Sequence, residues 1–173
     1  MLKEFNTYAQ QAADALKARG EKIAVADGAT GGLISASLLT VPGALAFYLG
    51  GGVIYSAPVR DALFGLPPEA FRGLQSATRD SALLQARAIR DNMGADWGIA
   101  ESGSAGGSKH PRGVASGRSC CAVVGPGVEL ARVVETYSDD RIANMAQFTR
   151  NALEVLVEAL ETAGTTGTRP ESP

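Results

Sequence analysis

The residues Asp27-Gly28-Ala29-Thr30-Gly31-Gly32 carry the strongest chemical signal in the chain. A short apolar run, Ile23-Ala24-Val25-Ala26, precedes them, and a helical pattern starts near Leu33. A strand, a glycine-bearing turn and a helix start place unpaired N–H groups and the positive end of a helix dipole around one point, which suits an anion or an oxyanion. Asp27 stands where it can orient the loop by accepting its N–H groups, or serve as a general base for water. The Thr30 hydroxyl reads first as a helix cap, with a nucleophilic role as the sharper alternative. Ser56 presents the same choice before a helix opened by Pro58, and Tyr55 beside it can stack on a ligand ring or cover the core. Arg60, four residues after Ser56, falls on the same helix face. Its guanidinium could grip a phosphate or carboxylate, or pair with an acid such as Asp27. His110, with Lys109 and Arg112 near it in a Gly/Ser-rich loop, offers a further anion contact.

The elements that must position these residues follow from periodicity. Leu2, Phe5, Ala9, Ala12 and Leu16 recur at helical spacing and Gly20 ends the pattern. A strand is expected near residues 22–26, a helix from about Gly31 to Thr40, and a strand over Tyr48 to Tyr55. A short helix closing at Gly65 and a longer one ending at Gly94, capped by Ser76 or Thr78, come next. Asp96 to Ala100 reads as a strand, and residues 102–118 as a long loop of the kind that is often functional. Gly125-Pro126-Gly127 marks a hairpin between Ser119–Val124 and Val128–Tyr137. Ser138 is placed to cap a final helix whose inner stripe is Ile142, Met145, Thr149, Leu153, Leu156 and Leu160. Residues 1–163 read as a single domain and 164–173 as a disordered tail. Early alternation of strands and helices with a late hairpin predicts an α/β fold, a three-layer α/β/α sandwich with a mixed sheet.

Composition narrows the function classes. A net charge of −2 without a basic run gives no argument for nucleic acid. Residues 28–59 carry no charge, but Pro42-Gly43 and Gly50-Gly51-Gly52 interrupt them, so no membrane span is expected. The N-terminus lacks the apolar run of a signal peptide. Cys120 and Cys121 are adjacent, and on a strand they point to opposite faces as two free thiols. A reducing, cytoplasmic location is therefore expected. With one histidine and no spaced cysteine pair, neither a metal nor another cofactor is expected.

Taken in order, these segments resemble the CinA C-terminal domain family. Ala26 to Pro42-Gly43 is similar to its first loop and helix (A-E-S-C-T-G-G, then V-P-G), and Gly51 to Gly65 to its G-G-V-x-x-Y-S-x-x-x-K-x-x-x-L-G segment. Gly94-Ala95-Asp96 through Ser102-Gly103-Ser104-Ala105-Gly106-Gly107 is similar to G-A-D…T-G-I-A-G-P, and Ser138-Asp139-Asp140-Arg141 to a G-D-R helix start. The likeness covers roughly residues 5–162 and implies a mixed-sheet α/β/α fold and nicotinamide mononucleotide (NMN) amidohydrolysis by a Ser/Lys dyad. This sequence departs from that dyad. Gly28 holds the serine position and Arg60 the lysine position, and Asp27 and Gly107 replace a glutamate and a proline. Glycine cannot attack, and a guanidinium with a pKa above about 12 is no base near neutrality.

The binding apparatus is retained in Gly28, Ala29, Gly31, Gly32, Tyr55, Gly103, Ser104, Ala105 and Gly106, expected to hold a small-molecule ligand. Three readings follow. The first is a divergent amidohydrolase acting on a small amide or nucleotide-like ligand, with water or one of Asp27, Thr30, Ser56 and Arg60 taking over the chemistry. The second is a silent ligand-binding protein, with a homo-oligomer allowed. The third is a changed reaction in which glycine in place of serine opens room for a bulkier substrate.

Overall fold

The computed structural model describes residues 1–166. Five strands form one sheet in the order β2-β1-β3-β4-β5, built from β1 (Ile23–Asp27), β2 (Tyr48–Val53), β3 (Trp97–Ser104), β4 (Arg118–Gly125) and β5 (Val128–Glu135). β1 pairs in parallel with both β2 and β3, whereas β3–β4 and β4–β5 are antiparallel. The mixed sheet expected from the element order is therefore present, and the Gly125-Pro126-Gly127 hairpin closes its β4–β5 edge.

Side chains alternate across the strands and sort the core into two halves. Ile23, Val25, Trp97, Ile99, Cys121 and Val123 meet α1 (Leu2–Arg19), α2 (Leu33–Leu39) and α5 (Arg141–Thr166). Ala24, Ala26, Ala100, Cys120, Ala122 and Val124 meet α4 (Arg79–Met93) and the end of α3 (Ala57–Phe64). The small residues on the second face let α4 approach the sheet closely. At Gly98 an added Cβ would meet the Ala86 main chain of α4. The two cysteines fall on opposite faces and are free, as the strand alternation requires.

Several boundaries differ from the sequence expectation, each for a local reason. α2 starts at Leu33 rather than Gly31, because Gly31 and Gly32 both adopt left-handed backbone (φ 65 and 95) and delay the first helical turn. β3 runs on through Ser102-Gly103-Ser104, expected as loop, because these residues pair with Cys120, Ser119 and Arg118 of β4. The helix expected to be capped by Ser138 is capped by Asp140. Its Oδ1 accepts from the Ala143 N–H at 3.0 Å, while the Ser138 hydroxyl accepts from Asp140 N–H. Ile142 is 69% exposed and so does not belong to the inner face of α5, which starts at buried Asn144 and continues through Phe148, Thr149, Leu153, Leu156 and Leu160, with Met145 half-buried. α5 continues to Thr166, and the rest of the expected tail, residues 167–173, lies outside the described residues.

Candidate functional site

The carboxyl ends of the parallel strands are where an α/β sheet offers a crevice; here β1 ends at Asp27, beside Glu101 of β3, which runs on to Ser104. Val25 and Ile99 face α1, α2 and α5. Two residues further along each strand, Asp27 and Glu101 point the same way by the period of the pleat. Both are buried, at 0% and 1% exposure.

Asp27 serves the loop. Its Oδ1 accepts from the Ile34 N–H (3.0 Å) and the Thr30 hydroxyl (2.8 Å), and its Oδ2 from the Ser35 N–H (3.2 Å) and hydroxyl (2.7 Å). It therefore supplies the capping that α2 does not receive from Gly32 or from Thr30. Thr30 is fully buried, and its hydroxyl is committed to Asp27. Neither residue lines the cleft that adjoins this loop, and nor do Gly31 and Gly32.

Glu101 is the residue that sequence reading missed. Its Oε2 accepts the Thr30 N–H at 3.0 Å, and its Oε1 accepts the Ser119 hydroxyl. Burial raises its pKa from 4.5 to about 7, with Asp27 adding to the rise while the Ser119 and Thr30 hydrogen bonds oppose it. Two glycines make room for it. A Cβ at Gly28 would strike the Glu101 carbonyl oxygen and lie 3.1 Å from Oε2, and a Cβ at Gly103 would lie 2.8 Å from Oε1. Gly28 therefore opens no space for a bulkier ligand, contrary to the third expectation, because the Glu101 main chain already fills it. The sequence carried a signal for Glu101: a lone acid ending the apolar run Trp97-Gly98-Ile99-Ala100 at the binding end of a strand.

Above this floor lies a cleft of about 420 Å³, in the range of small-molecule sites. Gly28 and Ala29 line it from the loop, Tyr55, Ser56 and Arg60 from the start of α3, and Glu101 through Gly106 from β3 and beyond. Among the described residues nothing accepts from the Ala29 N–H, which leaves a main-chain donor at the cleft. Tyr55 is 80% exposed and so does not cover the core. Ser56 occupies the N-cap position of α3, but its hydroxyl makes no cap bond, contrary to the capping expectation. Arg60 pairs with Asp61 at 2.7 Å rather than with Asp27, and its guanidinium lies 4.1 Å from the centre of the Phe71 ring.

The cleft is cationic. Among the described residues, Arg60, Lys109, Arg112 and Arg141 line it, and Glu101 is its single acid. The start of α5 fixes the far wall: Arg141 donates to the Gly106 carbonyl at 2.8 Å, buried Asn144 to the Ala105 carbonyl at 2.9 Å, and Asp139 accepts from the Gly107 N–H at 2.8 Å. His110 also lines the cleft. Burial and neighbouring Arg112 lower its pKa, and its Nδ1 accepts from the Arg112 N–H. Ser104 and Ala105 are nearly buried, so this wall is held by β3 pairing rather than by a free loop. Among the described residues no group of three metal-ligating side chains gathers, and no helix is long and apolar enough to cross a membrane.

A mixed α/β/α sheet with a cationic cleft at the carboxyl ends of its parallel strands is the class that fold and site define. Comparison with known proteins makes this specific. The model of the CinA C-terminal domain matches residues 5–160, and the chain belongs to that family. A CinA-like protein of Myxococcus xanthus is 32% identical over 161 residues, covering 92% of this chain and 38% of that protein. A CinA-like protein of Anaeromyxobacter is 33% identical over 145 residues, covering 84% of this chain and 35% of that protein. The chain thus spans little more than a third of the length of these relatives. A solved CinA superfamily protein of Enterobacter cloacae aligns with a TM-score of 0.81 at 27% identity, covering 90% of this chain and 92% of that one. One from Klebsiella pneumoniae gives 0.81 at 26%, covering 91% and 98%.

Proposed function

We propose that the chain binds a small, negatively charged, nucleotide-like amide in this cleft and hydrolyses its C–N bond with water as nucleophile. The observation that carries this reading is the combination, in one cleft, of four cations, a main-chain donor at Ala29 and a single buried acid. Arg60, which cannot act as a base, binds the anionic part of the ligand together with Arg141. Tyr55 stacks on a ligand ring and Ser56 hydrogen-bonds to the ligand. Ala29 N–H steadies the oxyanion, a role that is worth about 3 kcal/mol per donor in acyl transfer. Asp27 and Thr30 contribute through the loop they hold. Family membership supports an amide substrate of the NMN kind, and the free, buried thiols support a reducing, cytoplasmic setting.

Binding without turnover is the second reading. It is favoured by the absence of an attacking group at Gly28 and by the commitment of the Thr30 and Ser35 hydroxyls to Asp27. One pair of measurements separates the two: ammonia release from NMN, and the melting temperature with and without NMN. Hydrolysis predicts both release and stabilisation. Stabilisation without release selects the binding reading, and neither effect refutes an NMN-like ligand.

A further inference from the structure

We infer that Glu101 is the catalytic residue that takes the proton from the attacking water, so that the base stands on β3 and not at the Gly28 or Arg60 positions. The inference rests on the hydrolytic reading above and names its catalytic group.

The geometry is built for such a group. Glu101 lies within the central strand β3, level with the carboxyl end of β1, 1% exposed yet lining the cleft that Gly28 and Ala29 also line. Its two oxygens are held from different elements, Oε2 by the Thr30 N–H of the loop and Oε1 by the Ser119 hydroxyl of β4. A carboxylate oxygen offers about two lone pairs, so each keeps one for a water after these bonds are made. Gly28 and Gly103 flank the carboxyl, and a side chain on either would crowd it. The place where a Gly28 side chain would begin lies 3.1 Å from Oε2, so the carboxyl stands next to the point from which a side-chain nucleophile would have acted. That point itself is filled by the Glu101 main chain, so a water held by Oε2 would approach the amide carbon from beside it, on the cleft side.

The charges around Glu101 suit a base active near neutrality. Asp27 on β1 and the thiols of Cys120 and Cys121 on β4 are its titratable neighbours within the fold. Arg60 on α3, Arg141 on α5, and Lys109, His110 and Arg112 of the connecting loop share the cleft. Burial and Asp27 hold its pKa near the working pH, where general acid–base groups are most effective.

The step balances without any further reagent. The Glu101 carboxylate accepts one proton from water while the water oxygen bonds to the amide carbon. The resulting oxyanion is met by the Ala29 N–H. The carbonyl then reforms as the C–N bond breaks, and the Glu101 proton passes to the departing nitrogen, giving a carboxylic acid and ammonia, which share their remaining proton according to pH.

Glu101→Gln tests the assignment, because an amide keeps the size and can still accept from Thr30 N–H and donate to Ser119. Ammonia release from NMN is measured from pH 5.5 to 9 for both proteins, with the NMN-induced melting shift as the binding readout. The expected result is a loss of about 100-fold or more in kcat, in the range usual for general bases, with the melting shift retained. The wild-type rate should rise through a single ionisation near pH 7 that is missing from the residual activity of the variant. Glu101→Asp, shorter by one methylene, should keep the ionisation and lose part of the rate. Wild-type turnover that survives Glu101→Gln within about threefold overturns the assignment and leaves the hydrolytic reading standing. Wild-type binding of NMN without ammonia release overturns the hydrolytic reading and the assignment with it.

Discussion

Replacing Glu101 with glutamine should stabilise the protein at alkaline pH, and the size of the gain follows from the site. The carboxyl is shut away from water at 1% exposure and is pushed from 4.5 to about 7 in the fold. At about 1.4 kcal/mol per pH unit, the ionised form is about 3 kcal/mol less favourable in the folded chain than in the unfolded one. The sign follows from proton counts. Below about pH 4.5 both states hold the proton and nothing is lost. Between about 4.5 and 7 the folded state keeps a proton that the unfolded chain has released, so stability falls as pH rises. Above about 7 both are ionised and the loss is complete.

Glutamine has no such dependence. The difference in unfolding free energy between Glu101→Gln and the wild type should therefore grow by about 3 kcal/mol between about pH 4.5 and pH 8. Urea unfolding at the two pH values, read as midpoint and slope, measures this directly. In melting temperature the change is roughly 6–12 °C for a chain of this length. A pH-independent difference would refute the argument, since it would mean that Glu101 ionises in the fold as it does in water. A difference that shrinks with pH would refute it more strongly, since it would mean the fold favours the charged form.

Four other outcomes follow from the same geometry. Gly28→Ala should destabilise by roughly 1–3 kcal/mol or more in urea unfolding, because its Cβ meets the Glu101 main chain rather than a side chain that can swing away. Asp27→Asn should cost about 3 kcal/mol in the same assay, since an amide group replaces an oxygen that accepts from α2 N–H or hydroxyl donors and leaves them buried and unpaired. Arg141→Ala should weaken NMN binding by roughly tenfold or more, read by titration calorimetry and most clearly at low salt. Cys120 and Cys121, buried with thiol pKa values pushed up (Cys120 to about 11), should resist alkylation in the native state and react on unfolding.

The layers of this fold were legible because they rest on periodicity. The stripe Phe5, Ala9, Ala12 and Leu16, the pattern Ala82, Ala86 and Ile89, and the Gly-Pro-Gly hairpin each declare an element without help from the rest of the chain. The cleft was legible in outline, since Gly28, Tyr55, Ser56, Arg60 and Gly103 through Gly106 all line it. What stayed hidden depended on partners distant in sequence. Ser102 and Ser104 look like loop until β4 pairs with them. Thr30 looks like a cap until Asp27 is seen to reach past two left-handed glycines to Ile34 and Ser35. Glu101 became visible only when residues 71 positions before it and 18 after it closed on its carboxyl.

That last contact joins the departures at Gly28 and Arg60 to one another. Taken as single positions, each subtracts something: a nucleophile at one, a base at the other. Taken with Glu101, Gly28 becomes a requirement. The main chain of β3 stands where its side chain would go, and the carboxyl lies beside that point. Arg60 in turn is free of any duty as a proton acceptor. Held by Asp61 and stacked on Phe71, it presents a permanent positive charge to the cleft, which a desolvated lysine base could not do while serving as a base. It follows that Gly28→Ser with Arg60→Lys, which rebuilds the dyad in composition, should not rebuild it in space. The serine would be driven into the Glu101 carbonyl, and the double variant should be less stable than the wild type and no faster on NMN. A double variant that folds normally and releases ammonia faster would show that the loop can move away from β3 at little cost, and would remove the steric requirement for glycine at position 28.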